Sequence, residues 1–147
     1  MKNEGKGFEK DIKASITDQF YLRLQDAGGW SDANNTRFTP ANICDCLIFA
    51  SDWLYLVEMK SHKGKSIPVS CLKQLPNLLK VDKAGVVPCF LLNFRDLEET
   101  YFIEAKQVSE GLTGRKSISI AFCRIHGILI GQRKLRVRFR YELTKVF

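Results

Sequence analysis

Histidine is scarce in this chain: His62 and His126 are all that 147 residues contain. Neither has a second ligand or a nucleophile near it in the sequence. This argues against an imidazole metal site and against a Ser/His or Cys/His hydrolase. Long apolar runs are missing too, and a membrane-spanning helix needs about 20 such residues. The opening Met1-Lys2-Asn3-Glu4-Gly5 carries no hydrophobic signal region. A cytoplasmic protein without membrane attachment is expected. The five cysteines are an odd set. They lie mostly in apolar runs and read as small buried hydrophobes, not as a disulfide framework. Cys44-Asp45-Cys46 lacks the second ligand pair of a structural zinc site.

Acids are also in short supply, 16 against 23 Lys and Arg, leaving a net charge of +7. Such a balance favours a polyanionic partner, most often nucleic acid, although many basic domains bind none. The distribution says more than the total. From position 131 onward Arg133, Lys134, Arg136, Arg138, Arg140 and Lys145 face a single acid, Glu142. There is no repeat, low-complexity tract or linker, so residues 1–147 are expected to form one domain.

Periodicity predicts the elements. Phe8, Ile12, Ile16, Phe20 and Leu24 recur every four residues, which predicts a helix from Gly7 to Ala27, stopped by Gly28-Gly29. A polar, irregular connection follows to Ile43. Strands are predicted over Cys44–Ala50 and Trp53–Lys60, joined tightly through Ser51-Asp52. Val69–Val81 reads as a helix that Pro76 kinks or divides. Val86–Phe94 is nearly continuous apolar sequence, the pattern of a strand buried on both faces. Thr100–Glu104 reads as its antiparallel neighbour and Ala105–Leu112 as a short helix. Strands are predicted over Ser117–Cys123, Gly127–Gly131 and Lys134–Leu143. The expected class is α/β, a single domain with a mixed central β-sheet flanked by helices.

The chemistry centres on Asp45 and on Glu58-Met59-Lys60, which closes the apolar run begun at Trp53. Side chains two apart on a strand share a face, so Glu58 and Lys60 lie side by side. Asp45 precedes Glu58 by thirteen positions, and a hairpin folds that interval back on itself. Buried charges must pair or bind metal. Two carboxylates suit Mg²⁺, with waters and a phosphate oxygen completing its shell, and Lys60 would hold the attacking water. The plain alternative is a surface ion pair between Glu58 and Lys60. Glu9, taken alone, reads as a solvated helix glutamate, and Gln74 as an exposed one.

Two basic segments invite DNA. Lys63-Gly64-Lys65-Ser66 directly follows the acidic strand and can meet phosphates through its ammonium groups, the Ser66 hydroxyl and the Gly64 backbone, or be a solvated turn. It is not a P-loop. Arg136, Arg138 and Arg140 alternate with Val137, Phe139 and Tyr141. On one strand they would form a row of guanidinium groups for a DNA backbone, extended by Arg133 and Lys134, or a charged edge that resists aggregation.

The ordered set resembles the RecU-type Holliday junction resolvases within the PD-(D/E)xK nuclease superfamily. Asn3-x-Gly5-x-x-Phe8-Glu9 is similar to the family's opening motif. Asp45 and Glu58-Met59-Lys60 are similar to its metal-binding Asp and Glu-x-Lys. Lys65-Ser66-Ile67-Pro68, Gln74 and Gly114-Arg115-Lys116-Ser117-Ile118 also have counterparts, so the likeness spans nearly the whole chain. Cys44 stands where the superfamily's proline would precede Asp45. The resemblance implies a restriction-endonuclease-like fold and a phage-encoded enzyme in a bacterial cytoplasm. The activity would be that of a homodimeric Mg²⁺-dependent endonuclease, with Mn²⁺ as substitute. It would nick four-way junctions and other branched duplexes symmetrically. Asp45, Glu58 and the Met59 carbonyl would bind the metal, with Glu9 acting directly or through water. Lys60 and Gln74 would complete the catalytic set. Lys63, Lys65, Ser66, Arg115, Lys116, Arg133, Arg136, Arg138 and Arg140 would hold DNA, with Arg37 on a short stalk alongside Trp30 and Phe38. The rival expectations are a restriction-like or RecB-like nuclease on the same fold, a DNA-binding module without catalysis, and a basic scaffold.

Overall fold

The computed structural model describes residues 3–25, 31, 32, 35, 36 and 42–147. Its centre is β7 (Val86–Phe94), whose last six residues are all buried. An apolar strand of that kind requires cover on both faces. β5 (Trp53–His62) lies parallel to it on one side, and β8 (Glu99–Glu104) antiparallel on the other. β4 (Cys46–Ala50) and β1 (Phe20–Arg23) continue the sheet beyond β5, and β10 (Ile128–Ile130) ends it beyond β8. The parallel pair makes this six-stranded sheet mixed. Ser51 and Asp52 join β4 to β5 with φ of 50° and 66°, the left-handed pair that matches the twist of a tight hairpin.

Helices and small sheets cover the two faces. On one face, α1 (Glu4–Ala14) packs Phe8 and Ile12 against Val57, Met59, Cys89 and Leu91. On the other, α2 (Leu75–Leu79), α3 (Ala105–Gly111) and α4 (Ile120–His126) cover Leu56, Phe90, Leu92 and Ile103. Three two-stranded sheets complete the chain: β2 (Ser31–Asp32) with β3 (Asn35–Thr36), β6 (Ser66–Pro68) with β9 (Ser117–Ser119), and β11 (Gln132–Lys134) with β12 (Phe139–Tyr141). No helix among the described residues is long and apolar enough to cross a membrane.

Three sequence expectations are corrected, and the break expected at Pro76 is found. The first helix stops at Ala14, not Ala27. Ser15 closes it by donating to the Asp11 carbonyl and accepting from Tyr141 N at 3.0 Å. Phe20 and Leu24 fit the four-residue stripe by spacing alone, because pairing of β1 with β4 takes that segment into the sheet. Pro76 divides the second helix: a 3₁₀ turn, Val69–Cys71, precedes α2, where the proline occupies the first turn, which needs no donor. The strand predicted over Ser117–Cys123 ends at Ser119, whose hydroxyl accepts from Phe122 N at 3.1 Å and caps α4. The strand predicted over Lys134–Leu143 is a hairpin turning at 135–138.

Candidate active site

β4 ends where β5 continues, and the chemistry sits on that step. Asp45 N still donates to the Val57 carbonyl at 3.0 Å. Beyond it the Asp45 side chain takes over from the missing strand, accepting from Met59 N at 2.7 Å. A strand residue exchanges its N–H and C=O on the same side. The Met59 carbonyl therefore faces the same step, just before Cys46, the first residue of β4. Glu58 and Lys60 project to the opposite side from Met59, onto the face covered by α2 and α3. The Glu58 carboxylate is 4% exposed and lies 2.7 Å from Lys60 Nζ.

The electrostatics show a buried carboxylate, Glu58, between a half-buried acid and a half-buried ammonium. Burial pushes the Glu58 carboxyl up to about 7, and the adjacent Asp45 carboxyl adds to the effect through its charge and a side-chain hydrogen bond. Lys60 opposes this shift without cancelling it. Burial alone would lower the Lys60 ammonium; the Glu58 hydrogen bond and the charges of Glu58, Asp45 and Glu9 outweigh it and raise it. Glu9, on α1, is therefore close enough for Lys60 to sense its charge. It pairs with Arg23 of β1 at 3.2 Å. Sequence reasoning missed Arg23, because its segment had been taken into the helix.

The donor set suits a hard cation. Among the described residues, no three His, Cys, Asp or Glu side chains gather closely enough to hold a metal ion by themselves. Two carboxylates in contact, together with a backbone carbonyl facing the same step, meet the needs of Mg²⁺, which keeps several of its waters. A cation between the two acids would also offset the burial and the Asp45 charge that together raise Glu58.

The remaining candidates fall into two groups. β6 and β9 bring together motifs about fifty positions apart, since Ser66 pairs with Ser119 and Pro68 with Ser117. Ile67 and Ile118 anchor that small sheet in the core on the Glu58 face. Lys63, Lys65, Arg115 and Lys116 are exposed around it. Gly64 N–H donates to Asp96 Oδ2 at 2.8 Å, so the loop offers its side chains and not its backbone. Gln74 precedes α2 and accepts from Asn77 at 3.3 Å, a local contact; no bond draws it to Glu58.

The arginine row of the C-terminal segment does not exist as one strand face. Arg136 and Arg138 lie in the turn, while Arg133 and Arg140 are directly opposed across β11 and β12. Like charges in that position repel, and an anion laid over the pair would relieve them. Arg37, Trp30 and Phe38 lie outside the described residues.

No protein-family model matches the chain. It is 28% identical over 166 residues to the SPbeta prophage-derived uncharacterized protein YotM of Bacillus subtilis, covering 98% of this chain and 85% of that protein. It also superposes on Hjc, a Holliday junction resolvase from Archaeoglobus fulgidus, with a TM-score of 0.53 at 16% identity, over 84% of this chain and 94% of that one. The fold is restriction-endonuclease-like, a mixed α/β sheet flanked by helices, as the sequence resemblance implied.

Proposed function

We propose that this chain is a Mg²⁺-dependent DNA endonuclease of RecU type that resolves four-way junctions by paired, symmetric nicks, with Mn²⁺ as a substitute ion. The observation that carries the proposal is the convergence of the Asp45 and Glu58 carboxyls, with Lys60 on the same strand, at the step between β4 and β5. That this fold also serves an archaeal junction resolvase supports it. The prophage relative fits a phage-encoded enzyme.

Asp45, Glu58 and the Met59 carbonyl would hold the ion, which supplies an acidified water and neutralises charge developing at phosphorus. Met59 N–H orients the Asp45 carboxylate. The Lys60 ammonium, fixed against Glu58, would position the attacking water and stabilise the negative transition state. Glu9, steadied by Arg23, would orient a further water. Gln74 and Ser66 would place the phosphate. Lys63, Lys65, Arg115, Lys116, Arg133, Arg136, Arg138 and Arg140 would grip the backbone, which makes binding strongly salt-dependent. A homodimer follows from symmetry, since two equivalent nicks on a two-fold junction call for two sites related by the same axis.

The deciding assay incubates the protein with labelled mobile and fixed junctions and Mg²⁺, then maps the cuts. Symmetric nicks in opposing strands are expected. Ladders from linear duplex ends would assign an exonuclease on this fold. Binding without cutting, equal in the parent and Asp45→Asn, would leave a DNA-binding module.

A further inference from the structure

A cleft of about 780 Å³ opens between α1 and the β11–β12 hairpin, on the sheet face opposite Glu58 and Lys60. Its floor is polar where the surrounding sheet is apolar. Among the described residues, the buried polar side chains are Ser15, Glu58, Asn93 and Thr100. Ser15 closes α1, and Glu58 belongs to the carboxylate site. The other two lie in a hydrogen-bonded chain beneath the cleft. Ser61 Oγ donates to Asn93 Oδ1 at 2.6 Å, Asn93 Nδ2 to Thr100 Oγ1 at 2.9 Å, and Thr100 Oγ1 to Gln132 Oε1 at 2.7 Å. A satisfied buried network of this kind specifies one arrangement. It holds the Gln132 oxygen toward Thr100, which leaves the amide NH₂, a pure donor, on the cleft side.

The rim is cationic. Lys6, Lys10, Arg95 and Arg138 line the cleft against two acids, Glu4 and Asp11. Glu4 is paired with Arg95, and Asp11 accepts from Phe139 N at 3.1 Å. Arg95 Nε is buried with no partner among the described residues. A buried donor left unmet is costly, and an incoming oxygen acceptor would recover that cost. The volume suits a nucleotide-sized ligand and is too small for a duplex. Lys60 and Ser61 are consecutive on β5, about 3.8 Å apart at Cα, and face opposite sides of the sheet. A strand of DNA passing the end of β5 would have Lys60 on one side of the sheet and the cleft, with the Gln132 amide and Arg95 as its donors, on the other.

We propose that this cleft seats the phosphodiester backbone of a single DNA strand running on from the carboxylates, and so holds a stretch of that strand beyond the scissile phosphate, on the other face of the sheet. The proposal rests on the nuclease reading above. Its test is the salt dependence of binding, without added metal, to a labelled four-way junction and to a single-stranded oligonucleotide. The parent, Lys6→Ala/Lys10→Ala and the charge-matched Lys80→Ala/Lys83→Ala are compared. The cleft variant should bind about tenfold more weakly at ~0.1 M salt and lower the slope of log K against log salt by roughly 1–2, at about 0.7–0.9 per lost phosphate contact. The control should follow the parent, and equal behaviour of the two variants overturns the proposal. The Gln132 side-chain amide resonance separates the sources of phosphate. Saturation by the oligonucleotide but not by inorganic phosphate or thymidine monophosphate supports a strand; equal saturation by the monophosphate overturns it. None of these readouts involves cleavage. Binding through the cleft without cutting retires the nuclease reading alone, and cutting with an unaffected cleft variant retires the cleft alone.

Discussion

The end of β5 and the β11–β12 hairpin both concentrate charge, and they do so in opposite ways. At β5 the Glu58 carboxylate is buried and Asp45 and Lys60 are half-buried, with the acids oriented by a backbone N–H and an ammonium and in mutual conflict. On the hairpin Arg133 and Arg140 are exposed and opposed, with water as their solvent. A reacting centre needs fixed charges in a low-dielectric setting, where each is worth most. A grip on a polyanion needs charges that stay hydrated until the partner arrives and displaces its counterions. The first kind of site sits at the end of a strand inside the main sheet, the second on a separate two-stranded ribbon.

The largest test of this contrast is Asp45→Asn. Cleavage of a junction in Mg²⁺ should fall on the order of 10³-fold or more, while gel-shift affinity without metal stays within a few-fold. Full activity in this variant would remove the carboxylates from the chemistry.

Next is the cation itself. Saturating Mg²⁺, at about 100 times its dissociation constant, should stabilise the parent by roughly 2.7 kcal/mol. A thermal melt with and without EDTA measures this. The shift should vanish in Asp45→Asn, and an identical shift in both proteins would place the ion elsewhere.

The third test uses pH. The folded-state Glu58 carboxyl is raised from 4.5 to about 7, so the folded chain binds this proton more tightly than the unfolded one. Stability contributed by Glu58 is therefore highest below about pH 4.5, declines as pH rises toward 7, and is flat beyond. Glu58→Gln should remove that decline and stabilise the metal-free protein at pH 8 by about 1–3 kcal/mol, less what Lys60 loses with its partner. Urea melts of the two proteins at pH 5 and 8 give the comparison. A variant less stable than the parent at both values would contradict the conflict between the acids.

The smallest effect belongs to the hairpin. Arg133→Thr should stabilise the chain by ~0.2–1 kcal/mol by ending the cross-strand repulsion. It should also lower the salt slope of junction binding by roughly 1. An unchanged slope would make the arginines a solvated face only.

The regions also differ in how far they could be read from residues. β7 declared itself, because nine nearly unbroken apolar positions admit few other placements. The β4–β5 hairpin was legible from two strand-like runs a two-residue Ser51-Asp52 interval apart, without an Asn-Gly turn, and it returned Asp45 to Glu58. The segment at Phe20–Arg23 was misread, because a four-residue spacing of apolar side chains does not reveal whether a neighbouring strand is waiting. The hairpin at 132–141 was misread because its turn contains no Gly, Pro or Asn, and Arg136 and Arg138 keep the period of a strand while turning. Lys6, Lys10, Ser61 and Asn93 carried no motif; only their assembly around one cleft singles them out.

By itself, the sequence determined which segments must be buried and which acids and bases close an apolar strand, since those properties belong to side chains and their local period. Only the tertiary structure decided that β4 stops one residue short of Glu58, that Asp45 completes the sheet edge with its side chain, and that Ser66 meets Ser119. Contacts between distant segments depend on loop closure and on competition among partners. Neither is written in the neighbourhood of any one residue.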